Sequence, residues 1–213
     1  YIKWYRTQEY YDSGAWRGTW KLDGGGAMMN QSIHTIDLLY YLNGDVSSVC
    51  AFADLTIHKR IEVEDNAAAI LKFKNGSIGV IEASTACFSP TGLPAEVHIC
   101  GSEGSVFMRD NSFAVWDFKK ARKNDKKIMK ALGAKVGGKS EGATDPSAMS
   151  HVQHQRNFED MVKALKKGTK PLVDGTEGRK SVEIILAIYR SALMGGKPVQ
   201  LPLKRTPPRR PFR

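Results

Sequence analysis

The sequence contains no run approaching the roughly eighteen consecutive apolar residues of a membrane-spanning helix. It also has no basic start followed by a short apolar stretch, the mark of a secretion signal. Cysteine is scarce: Cys50, Cys87 and Cys100 are three in number, with no C-x-x-C among them. That odd, unspaced set argues against a disulfide framework or a ribbon-type zinc site. Each lies in or beside a strand-like run, where a free thiol behaves as a small apolar side chain, and a reducing, cytoplasmic setting is expected. No G-x-G-x-x-G follows a strand, so the phosphate-binding fingerprint of dinucleotide domains is missing. No internal repeat is present. The rest is ordinary for a soluble globular protein: 213 residues, 41% hydrophobic and 25% charged, enough for one substantial core. Residue 1 is Tyr and "YIKWYR" already alternates like a strand, so the chain is expected to be a piece that starts inside structure.

Acidic residues are in deficit, and the net charge of +10 invites a nucleic-acid reading. Its distribution argues otherwise. Residues 119–139 hold nine bases and one acid, and the tail 204–213 holds five bases and no acid. Without these two segments, 18 bases face 21 acids. Neither segment interleaves stacking aromatics with its bases, as single-strand-binding surfaces do. They are read as a solvated flexible insert, 119–145, and a disordered basic tail, 204–213, attached to a domain spanning 1–203. Nucleic acid and membrane are not expected partners.

Local patterns predict a strand over "IKWYRTQEYY", a Trp-rich connection "SGAWRGTW", and a helix over about 26–42. Strand-like runs follow from 46 to 118. Among them Asn75-Gly76, flanked by alternating apolar residues, predicts a type I′ hairpin turn. The C-terminal third reads as two helices. One is capped at Ser150 with Gln153 reaching back, and turns Val152, Phe158, Val162 and Leu165 inward. The other is boxed by Asp174 and Glu177, buries Val182, Ile185, Ala187, Ile188 and Ala192, and ends at Gly195-Gly196. A short strand "KPVQLPL" closes the chain. Strands in a run with helices at its two ends predict an α+β fold: an open, mostly antiparallel sheet with helices packed on one face.

The densest stretch is "LDGGGAMMNQSIHTIDLLYYLNG", residues 22–44. At helical spacing Met29, Ile33, Ile36 and Tyr40 form one stripe, and Asn30, His34, Asp37 and Tyr41 another. Leu38 and Leu42 lie on a third side, which predicts a largely enclosed helix. Two readings of the polar stripe stand side by side. In one, His34 is a core histidine bonded to Asp37, and the three glycines serve close backbone packing. In the other, His34 transfers protons in a cleft and Asn30, one turn earlier, fixes a substrate hydroxyl. Zinc fits poorly, since Asn30 is a weak ligand and no second histidine stands at i+4.

The segment "WRGTWKLDGGGAMMNQSIHTIDLL" resembles the signature of the Gfo/Idh/MocA oxidoreductases, the family of glucose–fructose oxidoreductase and inositol dehydrogenase. "EDNAAAILKFKNGSIGVIEAS", "ICGSEGSV", "QRNFEDMVKALKKGTKPLVDGTEGRKSVEIILAIYRSAL" and "PVQLPL" resemble the rest of that family's C-terminal domain in the same order. The resemblance implies a substrate-binding and oligomerisation half of an enzyme that moves hydride between NAD or NADP and a sugar or cyclitol hydroxyl carbon. Its Rossmann half would lie outside this chain. The family's proton-transfer histidine falls on His34, and the position one turn earlier, commonly Asp, falls on Asn30, which cannot serve as acid or base. The family's Glu-Lys-Pro motif is absent here. The chain alone is therefore expected to hold no cofactor and show no activity. Arg17 would bind a substrate carboxylate or phosphate, and Trp20 (with Trp16) would face a sugar ring. A homodimer or homotetramer through the sheet is expected. The alternative is a non-catalytic binding or assembly module that keeps the same fold.

Overall fold

The computed structural model of the chain describes residues 1–134 and 152–212. In order, the elements are β1 (Ile2–Lys3), α1 (Gln8–Asp12), a π-helical turn (Ala27–Gln31), α2 (Ile33–Asn43), β2 (Val46–Asp54), β3 (Asn66–Phe73) and β4 (Ile78–Ser84). Then come β5 (Glu96–Gly101), β6 (Gly104–Arg109), β7 (Ser112–Phe118), α3 (Asp125–Leu132), α4 (Val152–Lys167), α5 (Gly175–Leu193) and β8 (Val199–Gln200). The fold is the expected α+β class, with its strands shared between two open sheets. The larger runs β1-β4-β3-β2-β8, antiparallel except for the β1–β4 pair; β5-β6-β7 form a smaller antiparallel sheet.

Strand β3 shows why the sheet is two-faced. Its residues alternate strictly between exposed and buried, as a period of two demands. Ala67, Ala69, Leu71 and Phe73 point inward with Val49, Ala51 and Ile81, and meet Ile36 of α2 and Ile184, Ile185 and Ile188 of α5. Each large side chain so buried contributes roughly 1.5–3 kcal/mol. The opposite face leaves Phe52, Ile70, Ile78 and Val80 more than half exposed.

Several local expectations are corrected. The β3–β4 connection is not type I′. The Phe73 amide donates to Ser77 O and the Gly76 amide to Phe73 O, which gives a three-residue loop. Gly76 alone takes a left-handed φ, +90°, while Asn75 stays out of that region. Asn75 instead spends its side chain on Asn43 O and the Ser77 amide. Residues 8–12 are helical rather than extended, because Thr7 Oγ1 accepts the Tyr10 amide and caps a turn. Within the basic insert, 125–132 form α3; Asp125 accepts the Arg122 amide and the Trp116 indole N–H.

The tail is not loose either. Phe212 is buried beside Trp20 and Tyr189, its amide donates to Glu62 O, and Arg210 O accepts the Trp20 indole N–H. One buried aromatic near the chain's end outweighs the solvation of its charged neighbours.

Helix α2 is buried on one side only. Ile36 is enclosed, whereas Tyr41 is 81% and Leu42 47% exposed. The stripe of α4 also faces outward: Val152, Phe158, Val162 and Leu165 are exposed, and Ala164 is the buried position. The cap expected at Ser150 lies outside the described residues, as does the side chain of Gln153. Asp174 caps α5 by accepting the Thr176 and Glu177 amides, while Glu177 turns to Lys180 instead of closing the box. Within α5, Val182 and Ala192 are half-buried, and Tyr189 is a core residue that periodicity alone did not single out.

Candidate functional site

The three glycines lead into a turn that is anchored from below. Glu64 is fully buried. Its Oε2 accepts the Gly26 amide (3.1 Å), and its Oε1 accepts the Met28 amide (2.8 Å) and the Tyr189 hydroxyl (3.0 Å). The Glu64 carbonyl also accepts the Ala27 amide (3.0 Å). The approach is close enough that a Cβ on Gly26 would sit 1.8 Å from that carbonyl oxygen, and one on Gly25 2.4 Å from the Tyr189 oxygen. Glycine is therefore required at both positions by packing. Burial pushes the Glu64 carboxyl up to about 7, against the opposing pull of its donors. An internal carboxylate thus uses the amides that a phosphate-binding glycine loop would offer.

The turn itself is π-helical, and Ser32 (φ −104°, ψ −11°) separates it from α2, with Ser32 Oγ donating to Ala27 O at 2.7 Å. Single π-turns inside helices are frequent at functional sites. Here the turn replaces the continuous helix expected over 26–42, so Asn30 and His34 do not share one uniform helical stripe.

Above the turn lies a polar cluster. Asn30 Nδ2 donates to Asp23 Oδ1 (2.5 Å), and Asn30 Oδ1 accepts Gln31 Nε2 (2.6 Å). The same Gln31 nitrogen reaches the Tyr10 hydroxyl (3.3 Å), and Arg6 donates to Gln31 Oε1 (3.1 Å). Asp23 Oδ2 accepts the Gly18 amide (2.8 Å). The Arg17 guanidinium lies over the Tyr10 and Trp16 rings, 4.1 and 4.5 Å from their centroids.

Beneath Arg6 a second, closed network fixes the backbone. His58 contacts Asp65 Oδ2 through Nδ1 and the Arg6 carbonyl through Nε2, both at 2.8 Å. Asp65 also accepts the amides of Thr56, Ile57 and His58 and the Thr56 hydroxyl. Burial alone would raise the Asp65 carboxyl, but these donors, His58 first, outweigh it and hold the group well below the ordinary carboxylate range.

Asn30 and Arg17 therefore fall in one cluster. His34, on the first turn of α2, is exposed and makes no side-chain hydrogen bond among the described residues; Asp37, also exposed, does not pair with it. Trp20 stands apart: it is 8% exposed, packed edge-on to Tyr189, with its indole N–H used by Arg210 O. Trp16 is 42% exposed. Sequence reasoning missed Arg6, Tyr10, Asp23, Gln31 and Glu64. The signal for the first two was the Thr7 cap, overlooked because 2–11 alternates like a strand. Nothing local could have tied Glu64 to glycines 38 positions away.

The family model described as the GFO/IDH/MocA C-terminal domain matches residues 1–107. The chain belongs to that family. Its fold resembles the WlbA dehydrogenase from Bordetella pertussis, solved in complex with NADH and UDP-GlcNAcA, with a TM-score of 0.78 and 34% identity; the match covers 95% of this chain and 54% of that one. It is also 25% identical over 198 residues to scyllo-inositol 2-dehydrogenase (NAD(+)) of Bacillus subtilis, covering 91% of this chain and 53% of that protein. Myo-inositol 2-dehydrogenase of Thermotoga maritima matches at 24% identity, over 78% of this chain and 47% of its own length. The chain spans about half the length of these relatives.

Proposed function

We propose that this chain is the substrate-binding and oligomerisation half of an NAD(P)-dependent oxidoreductase acting on a sugar or cyclitol hydroxyl carbon. The observation that carries the reading is a contrast within one short stretch: Asn30 is held in place by two hydrogen bonds, and His34, four residues on, is exposed with no side-chain hydrogen bond among the described residues. An amide with one N–H and one lone pair committed still has one of each to orient a substrate hydroxyl. An open imidazole can take the proton of the hydroxyl being oxidised, or return it in the reverse direction. The nicotinamide, when bound, supplies the hydride acceptor. The Gly26 and Met28 amides that lead into the π-turn already serve Glu64 and so are not offered to the cofactor's phosphates. The relatives' dependence on NAD and their cyclitol and nucleotide-sugar ligands support the assignment.

Assembly through the outer face of the larger sheet belongs to the same proposal. Phe52, Ile70, Ile78 and Val80 form an apolar patch of a kind that marks interfaces. The test is to follow NADH or NADPH formation by the full-length protein across cyclitols, free sugars and nucleotide sugars. Reduction with at least one of them is expected. No reduction with any, from a protein shown to bind the cofactor, would favour the non-catalytic assembly module.

A further inference from the structure

Asn30 sits within a relay of hydrogen bonds whose direction is set at both ends. At one end the Arg6 guanidinium, which can only donate, gives its Nη2–H to Gln31 Oε1 (3.1 Å). Gln31 then has its amide nitrogen left for Asn30 Oδ1 (2.6 Å) and the Tyr10 hydroxyl (3.3 Å). At the other end Asn30 gives its Nδ2–H to Asp23 Oδ1 (2.5 Å), and a carboxylate can only accept. Turning the Gln31 amide over would set its NH2 group against the Arg6 guanidinium, donor to donor. Turning Asn30 over would set its oxygen against the Asp23 carboxylate, acceptor to acceptor. Either flip leaves polar groups facing like groups, so each amide has one orientation.

Both ends are held. Arg6 is buried, lies over the Trp4 and Tyr10 rings, and has its carbonyl tied to His58 Nε2. Asp23 Oδ2 accepts the Gly18 amide (2.8 Å), and the Asp23 amide donates to Thr19 O (3.1 Å). Gly18 itself takes a left-handed φ of +70°, and a Cβ there would lie 2.4 Å from Ile61 Cγ2, so the backbone that meets Asp23 has little room to shift.

We propose that Asp23 and Gln31 are positioning residues that act through Asn30. They fix the sense of its amide, so that its remaining N–H and its remaining lone pair meet a substrate hydroxyl in one arrangement only. The inference rests on the reading of Asn30 as the group that holds a substrate hydroxyl. It also sets a requirement on position 30. With Asp23 in contact, a carboxylate there would put two like charges within hydrogen-bond distance, and one would have to take up a proton or move away.

The test is a double-mutant cycle in the full-length protein, read by thermal unfolding and by NAD or NADP reduction with myo-inositol, glucose and UDP-glucose as probes. Asn30→Asp alone brings two carboxylates together and is expected to lower both kcat/KM and the melting temperature. Adding Asp23→Asn gives the new carboxylate an N–H donor. The pair is expected to recover at least about tenfold in kcat/KM over Asn30→Asp alone, within the range for directly bonded neighbours. It should stay below the parent, since position 30 then has no N–H for the substrate. Asp23→Ala and Gln31→Glu each release one end of the relay. They should raise KM roughly tenfold with kcat within about threefold of the parent's, because His34 is untouched. A purely structural role would lower kcat with the folded fraction and leave KM alone. Additive losses in the cycle, or kcat losses at unchanged KM in those two variants, would overturn the proposal. If the parent binds the cofactor yet reduces it with none of the probes, the dehydrogenase reading fails. Unfolding then judges the relay, upheld by a melting temperature of the pair above that of Asn30→Asp and overturned by additive shifts. Should Asn30→Asp fail to fold, a folded pair is the same rescue, and Asp23→Ala carries the kinetic test.

Discussion

Two polar networks meet at Arg6, and they are built in opposite ways. On one side, Asp65 and His58 are buried and closed: both carboxylate oxygens and both ring nitrogens have partners, and the Arg6 carbonyl is one of them. On the other, the Asn30–Gln31–Arg17 cluster is half-open and keeps donors in hand. A saturated interior network can only hold; an unsaturated one at the surface can bind. The difference makes the first a scaffold and gives the second the donors that the proposed function needs, because a buried unmet donor is costly unless a ligand meets it.

The comparison breaks most visibly at Asp65. Removing the carboxylate in Asp65→Ala strands His58 and the amides of Thr56, Ile57 and His58 at once. A loss of about 3–5 kcal/mol is expected, the range for breaking a buried pair by deleting one partner. Urea unfolding measures it, and a loss below about 1 kcal/mol would mean that the network does not hold the fold.

Glu64 offers the next largest effect, through pH. Its folded value of about 7 lies above its ordinary 4.5, so folding favours the protonated acid. The contribution is complete below pH 4.5 and is lost as pH rises through 7, by about 3 kcal/mol at most. Glu64→Gln carries no such proton. Its stability should therefore fall less steeply than the parent's between pH 4.5 and 7, and parallel profiles from thermal unfolding would sink the assignment.

What could be read from the residues, and what could not, divides along the same line. Period-two alternation located β3 and β4, and the Asp174 cap located α5, because both are local: each residue's partner lies within a few positions or is set by which face is buried. Family resemblance marked His34 and Asn30 within the glycine-led stretch. The choice of partner for a polar side chain is not local. Glu64 reaches back to Gly26, His58 to Arg6, and Trp20 forward to Arg210, and no pattern in either segment announces the other. Trp20 and the α4 stripe show the converse limit: hydropathy gives a side chain's preference, while its surroundings decide whether the preference is met.

On the open side, if the proposed dehydrogenase reading holds, His34→Ala in the full-length protein should cut turnover about a hundredfold or more, with stability changed by less than about 0.5 kcal/mol, since the ring is exposed and makes no hydrogen bond among the described residues. His34→Gln should be nearly as slow, because it can hydrogen-bond but cannot carry the proton. Ile36→Ala, two positions on but 2% exposed, should do the reverse. It should lose about 2–5 kcal/mol of stability and keep its rate per folded molecule. Normal turnover in His34→Ala would withdraw the proton-transfer role.

The smallest effect on the fold, and the sharpest on assembly, is expected at Ile70. Its neighbour Leu71 points into the core and is 1% exposed, whereas Ile70, on the other face of the same strand, is 58% exposed between Cys50 and Val80. A charge at Ile70 in an isolated chain would point into water, so Ile70→Lys should change stability by no more than about 0.5 kcal/mol. If the outer face is an interface, the same charge is desolvated twice, once in each copy, and sits in an apolar patch that offers it no hydrogen-bond partner. Light scattering should then show the parent as an oligomer and Ile70→Lys as a monomer at equal concentration. An oligomer that survives the substitution would place the contact elsewhere, and the exposed stripe of α4, with Phe158 and Leu165, would be the next surface to charge.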